Sequence, residues 1–223
     1  MQNQTAEIEW RAGGVPVSTR FDDPYFSLED GVAETNHVFL GGNDLPARFC
    51  DGFRIAELGF GTGLNLLVAW SAFAARVPNG TLAFSSFEAF PLNRADMAQA
   101  HAAFPEFDGK RDALLAAWTP EGGRTKLPGL ILDVIVGDAR QTLPHWKGQA
   151  DAWFLDGFSP AKNPELWGEE LMQAVCAHTS DAGTAATYTA AGFVRRNLAS
   201  AGFEVERVSG YGRKRHMTRA RRA

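Results

Sequence analysis

The chain has 223 residues, 45% hydrophobic and 22% charged, with a formal net charge of −4; this excludes wholesale disorder and suffices for one substantial domain. Its two cysteines, Cys50 and Cys176, stand far apart with no C-x-x-C pair, which excludes a disulfide-stapled scaffold and a zinc ribbon and suits a reducing, cytoplasmic setting. The polar start from Met1 to Glu7 lacks a basic leader region and no apolar run approaches the roughly 18–20 residues of a membrane span, so neither a signal peptide nor a membrane association is expected.

Residues 1–50 carry turn signals at Gly13-Gly14, Asp22-Asp23-Pro24, Asp30-Gly31 and Gly41-Gly42-Asn43-Asp44. Short extended stretches such as Val15-Pro16-Val17 and His37-Val38-Phe39-Leu40 lie between them. The pattern predicts a small β-rich extension packed on a main domain of residues 51–223. From Phe53 strands and helices alternate. Strands are predicted over 53–58, 81–88, 130–136, 150–156 and 184–189, and helices over 64–75, 94–103, 165–178 and 192–201. The stretches 204–209 and 215–219 read as a closing antiparallel strand pair. Alternating βα units imply a Rossmann-like α/β fold, a mostly parallel sheet with helices on both faces, whose ligands sit beyond the carboxyl ends of the strands.

Chemistry concentrates at those ends. Glu57-Leu58-Gly59-Phe60-Gly61-Thr62-Gly63-Leu64-Asn65 closes the first parallel strand and opens the first long helix. Its glycines let the backbone turn sharply and approach a ligand. The dinucleotide fingerprint is G-x-G-x-x-G; the spacing here is G-x-G-x-G with an acid two residues ahead, the pattern of methyltransferases that use S-adenosylmethionine (SAM). Glu88 ends the second strand, where an acid can accept both ribose hydroxyls. Asp138, followed by Ala139, ends the third, where a carboxylate can accept an adenine amine. The fourth ends in Leu155-Asp156-Gly157-Phe158-Ser159-Pro160, which places Asp156 beside the reactive methyl and makes it the catalytic candidate, with Phe158 and Pro160 as walls for a flat acceptor. Each acid alone is also the ordinary composition of a solvated or helix-capping strand end; three at successive ends are a constellation. The absence of an N/D-P-P-Y motif argues against DNA adenine or glutamine targets. Ser159 has no G-x-S-x-G context, against a hydrolase, and the five scattered histidines predict no metal.

Charge is uneven. From Arg195 onward nine Lys/Arg face only Glu204 and Glu206, so an acidic body carries a basic C-terminal edge suited to a polyanion or to plain solvation.

Several longer motifs carry a resemblance. Phe21-Asp22-Asp23-Pro24-Tyr25-Phe26-Ser27, Glu34-Thr35-Asn36-His37-Val38-Phe39-Leu40, Gly42-Asn43-Asp44-Leu45-Pro46-Ala47-Arg48-Phe49, the glycine motif and the segment from Leu155 to Pro160 occur in order. Thr189-Ala190-Ala191-Gly192-Phe193-Val194-Arg195-Arg196 and Gly210-Tyr211-Gly212-Arg213-Lys214-Arg215 follow. Together, from Phe21 to Met217, the chain resembles the methyltransferase half of the bifunctional tRNA-modifying MnmC family, which also exists as a stand-alone form. The resemblance implies SAM-dependent methylation of the 5-aminomethyl group on wobble 2-thiouridine of the tRNA anticodon stem-loop. It implies that Tyr25, Glu57, Gly59, Phe60, Gly61, Thr62, Gly63 and Asn65 surround the methionine end of SAM, with Glu88 at the ribose, Asp138 and Ala139 at the adenine, and Asp156 at the methyl. Arg195, Arg196, Arg213, Lys214 and Arg215 would contact tRNA phosphates. In the fused family members an FAD-dependent oxidase follows. No second glycine fingerprint occurs here, so neither FAD nor oxidase activity is expected, and a separate oxidase becomes a candidate partner. Two alternatives stay open: a methyltransferase or aminopropyltransferase for a small amine, and an inactive RNA-binding module.

Overall fold

The computed structural model describes residues 5–11, 14–27 and 30–223. Gly13, in the first predicted turn, and Met1 to Gln4, in the polar start, lie outside them. The chain opens with a three-stranded antiparallel sheet of β1 (Ile8–Arg11), β2 (Val15–Ser18) and β3 (Asp23–Pro24) in the order β1-β2-β3. Helix α1 (Gly31–Thr35) follows, started by Asp30, whose carboxylate accepts the Ala33 N–H at 2.8 Å. It runs on into a π-turn at Asn36–Leu40 and a 3-10 turn at Gly41–Asn43.

The segment from His37 to Leu40, predicted as extended, is therefore helical. Val38, Phe39 and Leu40 are all buried, and a wide π-turn buries three consecutive apolar side chains, as a fully buried strand would. Over so few residues the two are not distinguishable by periodicity.

The main sheet is built from β4 (Arg54–Leu58), β5 (Leu82–Glu88), β6 (Gly123–Leu127), β7 (Leu130–Val136), β8 (Ala150–Leu155), β9 (Thr179–Thr187), β10 (Phe203–Ser209) and β11 (His216–Arg222). Its order is β10-β11-β9-β8-β4-β5-β7-β6. The pairs β7/β5, β5/β4, β4/β8 and β8/β9 are parallel; β6 and the β10-β11 hairpin close the two edges antiparallel. The Rossmann-like expectation holds, with its closing strand pair. The chain leaves β4 toward β5 and returns on its other side at β8, so connections diverge next to β4. That is where α/β sheets bind ligands.

Successive side chains on the strands alternate between two apolar layers. Ile55, Phe84, Ala152 and Phe154 pack toward α2 (Leu64–Arg76), α3 (Arg94–His101) and α4 (Asp108–Ala117). Ala56, Leu58, Trp153 and Leu155 pack toward α5 (Ala139–Thr142), α6 (Glu169–Ala177) and α7 (Gly192–Ser200). The helix predicted over 165–178 divides at Gly168 into a 3-10 turn, Pro164–Trp167, and α6, because Gly168 takes an extended backbone (φ −68°, ψ 156°) between them. The strand predicted over 184–189 begins earlier, at Thr179, across a β-bulge against β8. The N-terminal segment is tied to the main sheet by Arg48. Its guanidinium donates to Asn43 O (3.0 Å), Thr184 Oγ1 (2.6 Å), Asp151 O (2.9 Å) and Ala182 O (3.1 Å). No helix among the described residues is long and apolar enough to cross a membrane.

Candidate functional site

A cavity of about 650 Å³ opens at the carboxyl ends of β4, β5, β7 and β8, within the usual size range of small-molecule sites. Its floor is the turn after β4. Gly59 sits at φ +86°, and a Cβ there would lie 3.2 Å from the Gly157 Cα, so the close approach of the β4 and β8 ends favours glycine at this turn. At Gly61 (φ +53°) a Cβ would press the Tyr25 ring at 3.2 Å; the N-terminal segment covers the turn from above.

The turn is held by an acid from the next strand. Glu88 accepts the Gly61 N–H at 2.9 Å through one oxygen and the Phe90 N–H at 2.7 Å through the other. Burial raises its pKa, and the backbone N–H donors oppose that rise. From behind, His101 Nε2 meets the Thr62 carbonyl at 2.5 Å.

Asp156 ends β8 inside the cavity. Its Oδ1 accepts the Gly157 N–H (2.8 Å) and its Oδ2 accepts Asn65 Nδ2 (2.7 Å). Burial is the largest influence on it and outweighs those donors, pushing its pKa up to about 6. A carboxyl poised there exchanges a proton near neutral pH. Asn65, in the first turn of α2, also donates to Glu57 Oε1 (2.9 Å) and accepts the Thr35 hydroxyl (2.8 Å). Asn65 thus joins three elements at one amide.

Two aromatic and charged walls flank the floor. On one side Phe21 stacks on Phe158 with centroids 4.7 Å apart, and Tyr25 meets Phe158 edge-on at 5.2 Å. Asp23 locks this wall down by accepting the Ser159 N–H at 2.8 Å. On the other side Tyr188 donates its hydroxyl to the Gly157 carbonyl (2.8 Å). Lys214 lies over the Tyr188 ring (4.1 Å to the centroid) and pairs with Glu34 at 2.7 Å.

The cavity brings together Tyr25, Gly59, Phe60, Gly61, Thr62, Asn65, Glu88, Asp138, Ala139, Asp156, Phe158, Arg213 and Lys214 from the sequence-derived set. It does not reach Glu57, Gly63, Pro160, Arg195, Arg196 or Arg215. Glu57 is fully buried on the α2 side of β4, accepting Ser86 Oγ at 2.7 Å, and burial pushes its pKa well above the carboxylate range. Gly63 turns the chain into α2 at φ +76°. Pro160 is buried behind the Phe158 wall. Arg195 turns its Nε to the Ala190 carbonyl (3.3 Å), while Arg196 and Arg215 are exposed outside the mouth. Asp138 lies on the rim, but its carboxylate caps α5 through the Arg140 N–H and takes the Arg140 guanidinium at 2.6 Å. That hydrogen bond is the chief reason its pKa is lowered.

The basic C-terminal edge is also less bare than its composition suggests. Arg219 pairs with Glu206, Arg221 with Asp44, and Arg222 with Asp181. Phe21, Glu34 and Tyr188 join the site without a spacing or strand-end signal in the sequence. Phe21 and Glu34 stand inside quoted motifs and Tyr188 directly precedes one, so motif membership was the available signal.

The fold and this cavity define a Rossmann-like enzyme with a nucleoside-sized site at the switch point of its sheet. Residues 105–223 match the family model described as S-adenosyl-L-methionine-dependent methyltransferase, and the chain belongs to that family. It is 45% identical to the tRNA 5-methylaminomethyl-2-thiouridine biosynthesis bifunctional protein MnmC of Pseudoalteromonas atlantica, over 97% of this chain and 33% of that protein. The corresponding protein of Chromobacterium violaceum is 44% identical over 98% of this chain and 34% of its own length. The chain thus spans about a third of the length of these curated relatives. Among solved structures, MnmC2 from Aquifex aeolicus superposes with a TM-score of 0.75 at 28% identity, covering 98% of this chain and 71% of that one.

Proposed function

We propose that this chain methylates the primary amine of 5-aminomethyl-2-thiouridine at the wobble position of tRNA, using SAM. The observation that carries this reading is the Asp156 carboxyl, held by Asn65 and Gly157 at the floor of the cavity with its pKa near 6. The high identity to MnmC proteins across nearly the whole chain supports the choice of acceptor.

The residues present suit SAM. The turn at Gly59 and Gly61, both at positive φ, lines the cavity and offers backbone to the methionine portion. Glu88 offers a carboxylate to the ribose hydroxyls, Asp138 and Ala139 flank the adenine, and Tyr25 closes the top. Glu57 acts indirectly, by fixing Asn65. When bound, SAM supplies an electrophilic methyl: the acceptor nitrogen's lone pair forms the N–C bond as the S–C bond breaks with its electrons left on sulfur, and the nitrogen loses one proton.

Asp156 does the work on the protein side. It accepts a hydrogen bond from the amine and thereby aims the lone pair, it receives the proton, and its negative charge favours a neighbouring sulfonium cation. The Phe158 wall offers a stacking face to the base. Because the floor is recessed, the wobble base leaves the anticodon stack to reach it. Arg195, Arg196, Arg213 and Arg215 supply phosphate contacts, each steepening the salt dependence of binding by about one unit of slope. An FAD-dependent oxidase, fused or separate, would generate the primary amine.

The test is methyl-labelled SAM with two tRNA pools, one carrying the wobble 5-aminomethyl group and one lacking it. Label in the first pool alone supports the reading. Label in neither, with SAM bound, refutes it, and transfer to free polyamines without RNA would favour a small-amine enzyme instead.

A further inference from the structure

The Lys214 side chain comes from the loop between β10 and β11 and projects its ammonium into the cavity. There it meets the Glu34 carboxylate at 2.7 Å and the face of the Tyr188 ring at 4.1 Å, and its charge acts on Asp156. Glu34 is only 14% exposed at its side chain, whereas Lys214 is 46% exposed and reachable from solvent. A carboxylate and an aromatic face meeting one ammonium, with the Asp156 carboxyl lining the same cavity, form a receptor for an alkylammonium ion. Tyr188 is itself fixed by its hydrogen bond to Gly157, next to Asp156, so the receptor is built into the cavity wall.

An aminomethyl group is an aliphatic amine and arrives largely protonated at neutral pH, as a lysine would. It therefore presents the same chemical group that Lys214 now presents. The Glu34 carboxylate keeps a cationic partner when one ammonium replaces another, and the displaced Lys214, nearly half exposed, passes into water, so the exchange carries a small cost.

We propose that Glu34 and the face of Tyr188 form the seat for the acceptor's ammonium, that Lys214 occupies this seat in the free protein, and that the substrate cation displaces it. The seat selects cationic primary amines before Asp156 takes the proton, so Glu34 is a specificity-determining residue and Lys214 a built-in competitor. This inference rests on the amine-acceptor reading above, but its first test does not need RNA.

Ethylammonium chloride is titrated into the full chain while the ring signals of Tyr188 are followed by NMR, with SAM binding as the control for folding. In Lys214→Met, or Lys214→Gln if the first variant folds poorly, the titration should saturate. In the wild type and in the Glu34→Gln/Lys214→Met double variant it should be at least tenfold weaker. Equal affinity in all three, or no binding to either single variant, overturns the proposal. In a second arm, Glu34→Gln should raise KM at least tenfold for an anticodon stem-loop bearing wobble 5-aminomethyl-2-thiouridine, with the affinity for the unmodified stem-loop changed less than twofold. An unchanged KM overturns the seat. If the wild type fails to methylate that stem-loop, the acceptor reading fails, and the ethylammonium titration still decides the seat.

Discussion

Replacing Asn65 by leucine, which nearly preserves its volume, isolates the amide that holds the candidate catalytic carboxyl. Its Nδ2 donates to Asp156 Oδ2 at 2.7 Å and to Glu57 Oε1 at 2.9 Å, and its Oδ1 accepts the Thr35 hydroxyl at 2.8 Å. A hydrogen bond to an ionised acceptor is worth about 1.5–3 kcal/mol, and one pKa unit corresponds to about 1.4 kcal/mol. Asp156 faces a cavity open to water, which trims the effect to about one unit. Its pKa should therefore move from about 6 to about 7, since the Asn65 donor is one of the contacts that lower it. Thr35 and Glu57, both buried, lose a partner in the same variant, at a cost to stability of about 2–4 kcal/mol. Titration of the Asp156 carboxyl carbon by NMR from pH 4 to 9, in the free protein, reads the first effect; urea unfolding reads the second. A midpoint that stays put or falls would refute the placement of Asn65 as the donor that tunes Asp156.

Three further outcomes follow from the same geometry. Gly59→Ala puts a Cβ against the Gly157 backbone at a positive φ; it should cost about 1–3 kcal/mol in unfolding and weaken SAM binding at least tenfold by calorimetry. Arg48→Met removes three hydrogen bonds between the N-terminal segment and the sheet, and one within the segment; stability should fall by about 2–4 kcal/mol with SAM affinity little changed. Burial raises the folded pKa of Asp156 above its unfolded value, so its stabilising contribution is complete below pH about 4 and is lost as pH rises through about 6. The wild type should accordingly lose about 1–3 kcal/mol relative to Asp156→Asn between pH 4 and pH 8 in denaturant melts, and a difference that stays constant with pH would refute it.

The parallel strands β4, β5, β7 and β8 were legible because each is a short apolar run ended by glycine or an acid, and a doubly covered sheet demands that composition. Strand β6 and helix α4 were not, although the β10-β11 pair at the opposite edge was. Strand β6, Gly-Arg-Thr-Lys-Leu, is polar because it lies at the sheet border. Helix α4 buries only Leu114 fully, so its periodicity is faint. Within the site, Gly59, Glu88 and Asp156 could be placed from strand ends alone. Glu57 sits at a strand end too, but its side chain falls on the α2 side of β4 and becomes a support for Asn65. The pairing of Glu34 with Lys214 joins residues 180 positions apart, and no spacing rule reaches across that distance. The basic C-terminal run looked uniform in sequence, yet Arg219, Arg221 and Arg222 are spent on acids that the fold brings beside them.

The most direct measurement is a single turnover of the preformed complex with methyl-labelled SAM, mixed with a synthetic anticodon stem-loop bearing 5-aminomethyl-2-thiouridine, in wild type and Asp156→Asn, with the product nucleoside identified by mass. The account predicts 5-methylaminomethyl-2-thiouridine as the labelled nucleoside in the wild type and a rate at least about a hundredfold lower in Asp156→Asn with SAM still bound. Equal rates in the two proteins, or label on any other atom of the RNA, would contradict it.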